Sequence, residues 1–217
     1  MQRQNRTRMQ HNYKFYPTLL DAFVYYLGSE SETAEQELID KINRVPFKSD
    51  AADKGTWFNN LIDASITLWD RFNLCYVDGI AAELVEYLQG SQMQLYTETT
   101  IIVDGAHVLL YGYIDYVKQY KALDLKTTRE YSLGKYQKSI QRHLYPVYLI
   151  DRGANITEFE FVVTDFNGVY KESYSVDYNS SKLELHNVCR DFIAFIESKR
   201  NLITDKKIFG ELLTEKK

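Results

Sequence analysis

Two cysteines in 217 residues leave sulfur little to do. Cys75 and Cys189 stand far apart and form no CxxC pair, so a disulfide framework, a zinc knuckle and an iron–sulfur cluster all lack ligands. Proline (3) and glycine (10) are also scarce, which excludes a collagenous or low-complexity chain. No apolar run approaches the ~20 residues that a membrane-spanning helix needs. The polar start carries Arg3, Arg6 and Arg8 with no apolar segment behind them, and does not read as a signal peptide. Residues 1–12 are expected to form a flexible basic arm and 13–217 a single domain, with the cytoplasm as compartment. The four histidines, His11, His107, His143 and His186, show no ligand spacing.

What the chain does have is core material. Hydrophobic residues make up 45% and aromatics 14%, with 18 Tyr and 11 Phe, which is the composition of a globular protein. The formal net charge of −4 argues against a nucleic-acid partner and for a protein-interaction role. Its distribution argues the other way. Between Lys118 and His143 seven cations (Lys118, Lys121, Lys126, Arg129, Lys135, Lys138, Arg142) face only Asp124 and Glu130. Such a run is either a solvated face or a phosphate-binding stretch.

Hydrophobic periodicity predicts helices over 18–27, 31–43, 51–72 and 79–88, with Pro46 dividing the second from the third. The period then changes. Leu95–Val103 and His107–Val117 alternate as strands around the turn signal Asp104-Gly105, and a short polar turn leads into a third strand, Ala122–Lys126. A helix is predicted over 134–150, with Pro146 kinking it or shifting its end. A hairpin around Asn167-Gly168 and a long helix over 181–200 complete the chain. This order implies an α/β or α+β fold with a mixed central sheet flanked by helices.

Centring the turn of the second hairpin between Gln119 and Tyr120 sets Asp115 opposite Asp124. Facing side chains in an antiparallel pair have Cβ atoms about 4.5–5.5 Å apart, and like charges there are destabilising. Two such carboxylates must share a proton or hold a cation. The strand period also puts Lys126 on the face of Asp124, with Leu123 and Leu125 pointing the other way into the core. Two acids and a lysine on one patch suit phosphodiester hydrolysis. A carboxylate-held Mg²⁺ or Mn²⁺ neutralises charge and lowers the pKa of its water, and an ammonium beside it steadies a developing oxyanion or orients that water. The competing reading is a surface ion pair. Asp205-Lys206-Lys207 and Glu197-Ser198-Lys199 carry similar short patterns without a partner acid, and read as solvated surface.

Gly112-Tyr113-Ile114-Asp115, Asp124-Leu125-Lys126-Thr127-Thr128 and Gln141 with Tyr145 resemble the G-x-[IV]-D, D-x-K-T and Q-x-x-x-Y motifs of the PD-(D/E)XK nuclease superfamily, in its RecB-like and phage-exonuclease branches. Upstream, Gly55-Thr56-Trp57-Phe58-Asn59-Asn60-Leu61-Ile62-Asp63 looks like the G-T-x-x-H-x-x-[LI]-E helix of that branch. The likeness runs from about Tyr16 to Leu149. It implies a restriction-endonuclease-like fold and a metal-dependent deoxyribonuclease, of the exonuclease kind used in phage or bacterial DNA recombination and repair. Asp115, Asp124 and the Leu125 backbone carbonyl would hold Mg²⁺ or Mn²⁺, and Lys126 would be the catalytic lysine. Gln141 and Tyr145 would position DNA or that lysine. Glu98 is either an additional acid or an exposed strand glutamate. DNA is the implied partner, with a single-strand annealing protein beside it.

The chain departs from the pattern at Asn59, which stands where the branch has a metal-binding histidine. An amide oxygen matches Mn²⁺ less well than imidazole does, so Asn59 is a direct ligand, a water-mediated one or none. That departure favours the alternative of a catalytically inactive DNA-binding or assembly module on the same fold. Lys135, Lys138 and Arg142 are expected on the helix that carries Gln141, where with Arg129 they would contact phosphates. Tyr131 and Tyr136 are the aromatics expected near the site, Tyr136 against DNA.

Overall fold

A computed structural model describes residues 11–47, 49–74 and 77–210, so Cys75 and residues 1–10 of the expected arm lie outside the described residues. Twelve main elements follow in the order β1 (Tyr13–Phe15), α1 (Pro17–Leu27), α2 (Ala34–Ile42), α3 (Asp50–Phe72), α4 (Gly79–Leu88), β2 (Gln92–Val103), β3 (Ala106–Lys118), β4 (Lys121–Thr127), α5 (Gln141–Asp151), β5 (Glu158–Thr164), β6 (Val169–Ser175) and α6 (Tyr178–Ser198). The expected mixed sheet flanked by helices is what forms. β4 and β5 run parallel, joined by a crossover through α5, and the other long pairings are antiparallel.

Two apolar layers sandwich this sheet. On one side α1, α5 and α6 bury Phe23, Leu144 and Phe192 against Phe159, Phe161 and Ala122 of the sheet. On the other, α3 and α4 bury Phe58, Ile62, Leu84 and Leu88 against Tyr116, Leu123 and Leu125. The period of two in β4 therefore sends Leu123 and Leu125 to the α3/α4 side, as expected, and Ala122 to the other. Fully burying a Leu or Phe side chain stabilises by roughly 1.5–3 kcal/mol, so each layer is a substantial support for what lies between.

Local chemistry sets the boundaries. Ser49 caps α3 by accepting the Ala52 N–H, and Asn73 ends it in the left-handed conformation (φ 54°). Asp104 and Gly105 both take positive φ, as a tight hairpin turn requires. The Asn167-Gly168 signal works differently: Phe166 is the left-handed residue, and the Asp165 carboxylate accepts from both Asn167 N and Gly168 N at 2.9 Å.

Three expectations need correction. The strand β1 was not expected, because three residues are too short to show a period. His11 and Asn12 are not part of a free arm: His11 Nε2 lies 2.9 Å from Thr100 Oγ1, and Asn12 bonds His107 through backbone and side chain. The helix expected over 134–150 begins only at Gln141, and 134–139 form turns. Gly134 is left-handed there (φ 78°), and Asp21 of α1 accepts the Ile140 N–H at 2.5 Å, capping the helix from another element. Pro146 sits inside α5 without ending it.

Candidate active site

One edge of β3 is shared by two strands. β1 pairs with Val108–Leu110, β4 pairs with Tyr116–Lys118, and the stretch from Tyr111 to Asp115 lies in the gap between them. Over this gap Pro17 of α1 packs against Gly112, where an added Cβ would stand 3.0 Å from Pro17 Cδ. The opposite edge of β3 is disturbed at the same level. Gln94, which faces Asp115 in the β2–β3 register, takes φ 49° and drops out of the pairing. Both strands change face there: Leu95 and Ile114 pack with the α1/α5/α6 layer, but Met93 and Tyr116, two residues on, pack with the α3/α4 layer. Such a break in two-residue alternation is a bulge-like feature that re-aims a side chain.

The re-aimed side chain is Asp115. Its Oδ2 accepts the Leu125 N–H at 3.0 Å, where the β3–β4 ladder would otherwise continue. The Leu125 carbonyl leaves on the same side of its strand, and there meets Asn59 Nδ2 of α3 at 3.4 Å. Asp124 is 2% exposed and its Oδ2 lies 2.6 Å from Lys126 Nζ, without a well-directed hydrogen bond. Asp115, Asp124 and Lys126 thus converge at the fork where β3 and β4 diverge, in the register expected from sequence.

Electrostatics reflect the crowding. Burial, reinforced by the charge of Asp124 and only partly offset by Lys126, pushes the Asp115 carboxyl up to about 8. Burial also raises Asp124, against the pull of Lys126. For Lys126 burial works downward, but the carboxylates of Asp124, Asp115 and Asp21 outweigh it and hold the ammonium above its ordinary value.

Around this centre, Gln141 and Tyr145 are both buried on α5, one turn apart, with the Tyr145 phenol raised by burial and by Asp124 and Asp115. Tyr136 is half-buried, 5.2 Å from Phe161, and feels Lys126 and Asp124. Two residues that sequence reasoning gave no role also belong here. Asp63, one turn after Asn59, accepts from Tyr116 Oη at 2.6 Å and from Gln94 Nε2 at 3.1 Å, bracing both disturbed strands. Asp21, raised by burial, braces the start of α5 and adds to the field on Lys126. The spacing of Asp63 from Asn59 could have flagged it; Asp21 carries no local signal.

Other expected residues are not brought in. Glu98 is exposed, pairs in register with Tyr111 rather than Asp115, and accepts from Tyr96 Oη at 3.2 Å, so it is a strand glutamate outside the acid cluster. Lys135 and Lys138 lie on the 134–139 turns rather than on α5, and Lys135 Nζ is spent on Thr128 Oγ1 and the Glu130 carbonyl. Arg142 is on α5 but turns to the Tyr174 ring, 4.8 Å away. Arg129 is exposed, and Tyr131 stacks on Tyr170 at 4.2 Å. A cleft of about 520 Å³ between α1 and the 134–139 turns, lined by Asp21, Lys126, Tyr136 and Lys138, opens onto the centre.

Among the described residues no group of three or more His, Cys, Asp or Glu side chains could hold a metal ion. Here two carboxylates are supplemented by neutral oxygens. Asn59 Oδ1 is buried without a partner, and the Leu125 carbonyl beside it has only a long contact. An all-oxygen set with unused acceptors fits a hard divalent cation such as Mg²⁺ or Mn²⁺. The described helices contain none long and apolar enough to cross a membrane.

No family model matches the chain, and no curated protein does. Among solved structures it is similar to the crystal structure of SSO0001, with a TM-score of 0.53 at 15% identity, covering 87% of this chain and 79% of that one. That likeness is one of fold.

Proposed function

We propose that this protein is a divalent-metal-dependent deoxyribonuclease that hydrolyses phosphodiester bonds, of the exonuclease kind that serves recombination or repair. The observation that supports it above the rest is the fork: Asp115 and Asp124 on diverging strands, with Lys126 paired to Asp124 at 2.6 Å and the Leu125 backbone between them. Asp115, Asp124 and the Leu125 carbonyl would hold the cation, with Asn59 Oδ1, buried and without a partner, as a supplement. A divalent ion there supplies charge neutralisation and a water of lowered pKa.

The chain's own groups do the rest. The Lys126 ammonium, held above its ordinary pKa, is cationic at neutral pH and acts as a fixed charge toward a developing phosphoryl oxyanion. Gln141 and Tyr145 back the carboxylates from α5, and Asp21 and Asp63 hold the flanking elements in place. In the test, linear and circular DNA, single- and double-stranded, is incubated with Mg²⁺, Mn²⁺ or chelator. Metal-dependent loss of linear DNA that disappears in Lys126→Ala and Asp115→Asn is expected; mutants that degrade it at the wild-type rate would refute the reading.

A second reading draws on Asn59. With an amide in place of a stronger donor, and Lys126 already on Asp124, the fold could serve as a DNA-binding module without catalysis. Calorimetry with Mn²⁺ separates the two, since absence of binding supports the module. A single-strand annealing protein as partner belongs to the nuclease reading and is tested by co-purification.

A further inference from the structure

A second cleft, of about 610 Å³, lies at the β1 end of the sheet and is lined by Lys14, Arg44, Tyr111, Lys206, Lys207 and the single acid Asp205, with Phe209 and Gly210 behind them. Four cations from three separate stretches of chain meet here in a protein of net charge −4. Lys206-Lys207, which reads from sequence as mere solvated surface, belongs to a short 3₁₀ turn that seals β1. Arg44 takes a left-handed backbone (φ 55°) that a long side chain rarely adopts, and its Nε lies 3.0 Å from Asp205 Oδ2. Among the described residues Lys14 and Lys207 have no side-chain hydrogen bond or ion pair, so their charge is unspent. This is a concave site with excess positive charge and an aromatic wall, which is what a phosphodiester backbone fits.

Its position relative to the fork is set by one strand. Lys14 pairs with Leu109, so it shares a face with Tyr111 and Tyr113 on β3. Asp115 is four residues beyond Tyr111 on the same strand, past the change of face at Gln94. Between them Tyr113, 58% exposed, meets Tyr96 edge-on at 5.3 Å and offers a ring to an unpaired base. We propose that the Lys14/Arg44/Lys206/Lys207 cleft is a second phosphate subsite, which holds a single DNA strand as it runs over Tyr113. It rests on the nuclease reading for the choice of DNA, but the subsite itself is a matter of binding.

The test is binding of the full chain to a fluorescent single strand of about a dozen nucleotides, in chelator so that nothing is cleaved. Lys14→Ala/Lys207→Ala is expected to weaken binding about tenfold at low salt and to reduce the slope of log affinity against log salt by about 1.4, two phosphate contacts at ~0.7 each. Tyr113→Ala is expected to weaken it severalfold with the slope unchanged. Lys182→Ala/Arg190→Ala, which removes two cations from α6, is the control for bulk charge. Wild-type affinity and slope in the Lys14/Lys207 variant, or an equal loss in the control, overturns the proposal. Failure of the nuclease reading shows separately, as wild-type protein that binds the strand and never cuts it when metal is added.

Discussion

The Asp115 carboxylate occupies the place of a backbone rung: its Oδ2 takes the Leu125 N–H at 3.0 Å just where β3 and β4 part. One side chain thereby closes the end of a sheet ladder and brings a second carboxyl group beside Asp124. A buried N–H without an acceptor costs about 1–3 kcal/mol, so the side chain has a structural duty beside the proposed chemical one. The two duties can be separated by substitution.

Asp115→Asn keeps an acceptor oxygen for Leu125 and removes the charge. Cleavage is expected to fall by at least about a thousandfold, because a neutral amide cannot replace a carboxylate on a divalent ion. Stability moves the other way. The folded-state pKa of Asp115 is raised to about 8 from an ordinary 3.8. Between those values the folded protein binds more protons than the unfolded chain, so this group makes stability fall as pH rises from about 4 to 8. The variant lacks that loss and should be more stable than wild type at pH 8, with little difference at pH 4. Urea unfolding at the two pH values measures it, and a variant no more stable at pH 8 than wild type would contradict the assigned environment.

Lys126→Ala strands the buried Asp124 carboxylate without its ionic partner. Removing one member of a buried pair costs about 3–5 kcal/mol, and the 25% exposure of the Lys126 side chain places this case at or below the lower end. Without Lys126 the raised pKa of Asp124 climbs further, so the penalty is largest at alkaline pH and shrinks as acid protonates the carboxyl. Cleavage should vanish at every pH. Thermal melts that show an equal penalty at pH 5 and pH 8 would mean that Asp124 is solvated.

Much of this centre was legible because it depends on local rules. Strand alternation placed Leu123 and Leu125 in the core, and the Gln119–Tyr120 turn fixed the register of Asp115 and Asp124. What escaped depends on distant contacts. The start of α5 is decided by Asp21, more than a hundred residues earlier, and the face switch at Gln94 and Asp115 is stabilised by Asp63 from α3. The basic cleft at Lys14 and Lys207 joins the two ends of the described chain, and no window of sequence contains both.

Asn59 and Glu98 make a matched pair of tests. Asn59 Oδ1 is buried and unpartnered beside the Leu125 carbonyl, so Asn59→His places a stronger nitrogen donor at the same spot and should tighten Mn²⁺ binding about tenfold. Glu98 lies along the sheet from the fork, and Glu98→Ala should leave Mn²⁺ affinity within about twofold. Calorimetric titration of both variants decides: a large loss for Glu98→Ala would return that residue to the ligand set.

The approach of α3 to β4 depends on Gly55. A Cβ there would stand 2.5 Å from Thr127 Oγ1, closer than such atoms approach, so either the threonine or the helix must move. Asn59 is one turn further along the same helix, so a shift of α3 reaches the Leu125 carbonyl as well. Gly55→Ala is therefore expected to cost about 1–3 kcal/mol in stability despite its gain in helix propensity, and to weaken metal binding with it. Thr127→Ala removes the clashing hydroxyl, and the double variant should recover most of both losses, a coupling that only direct contact produces. Chemical denaturation of the four proteins of this cycle gives the coupling energy, and strict additivity would show that α3 does not owe its seat on β4 to the missing side chain.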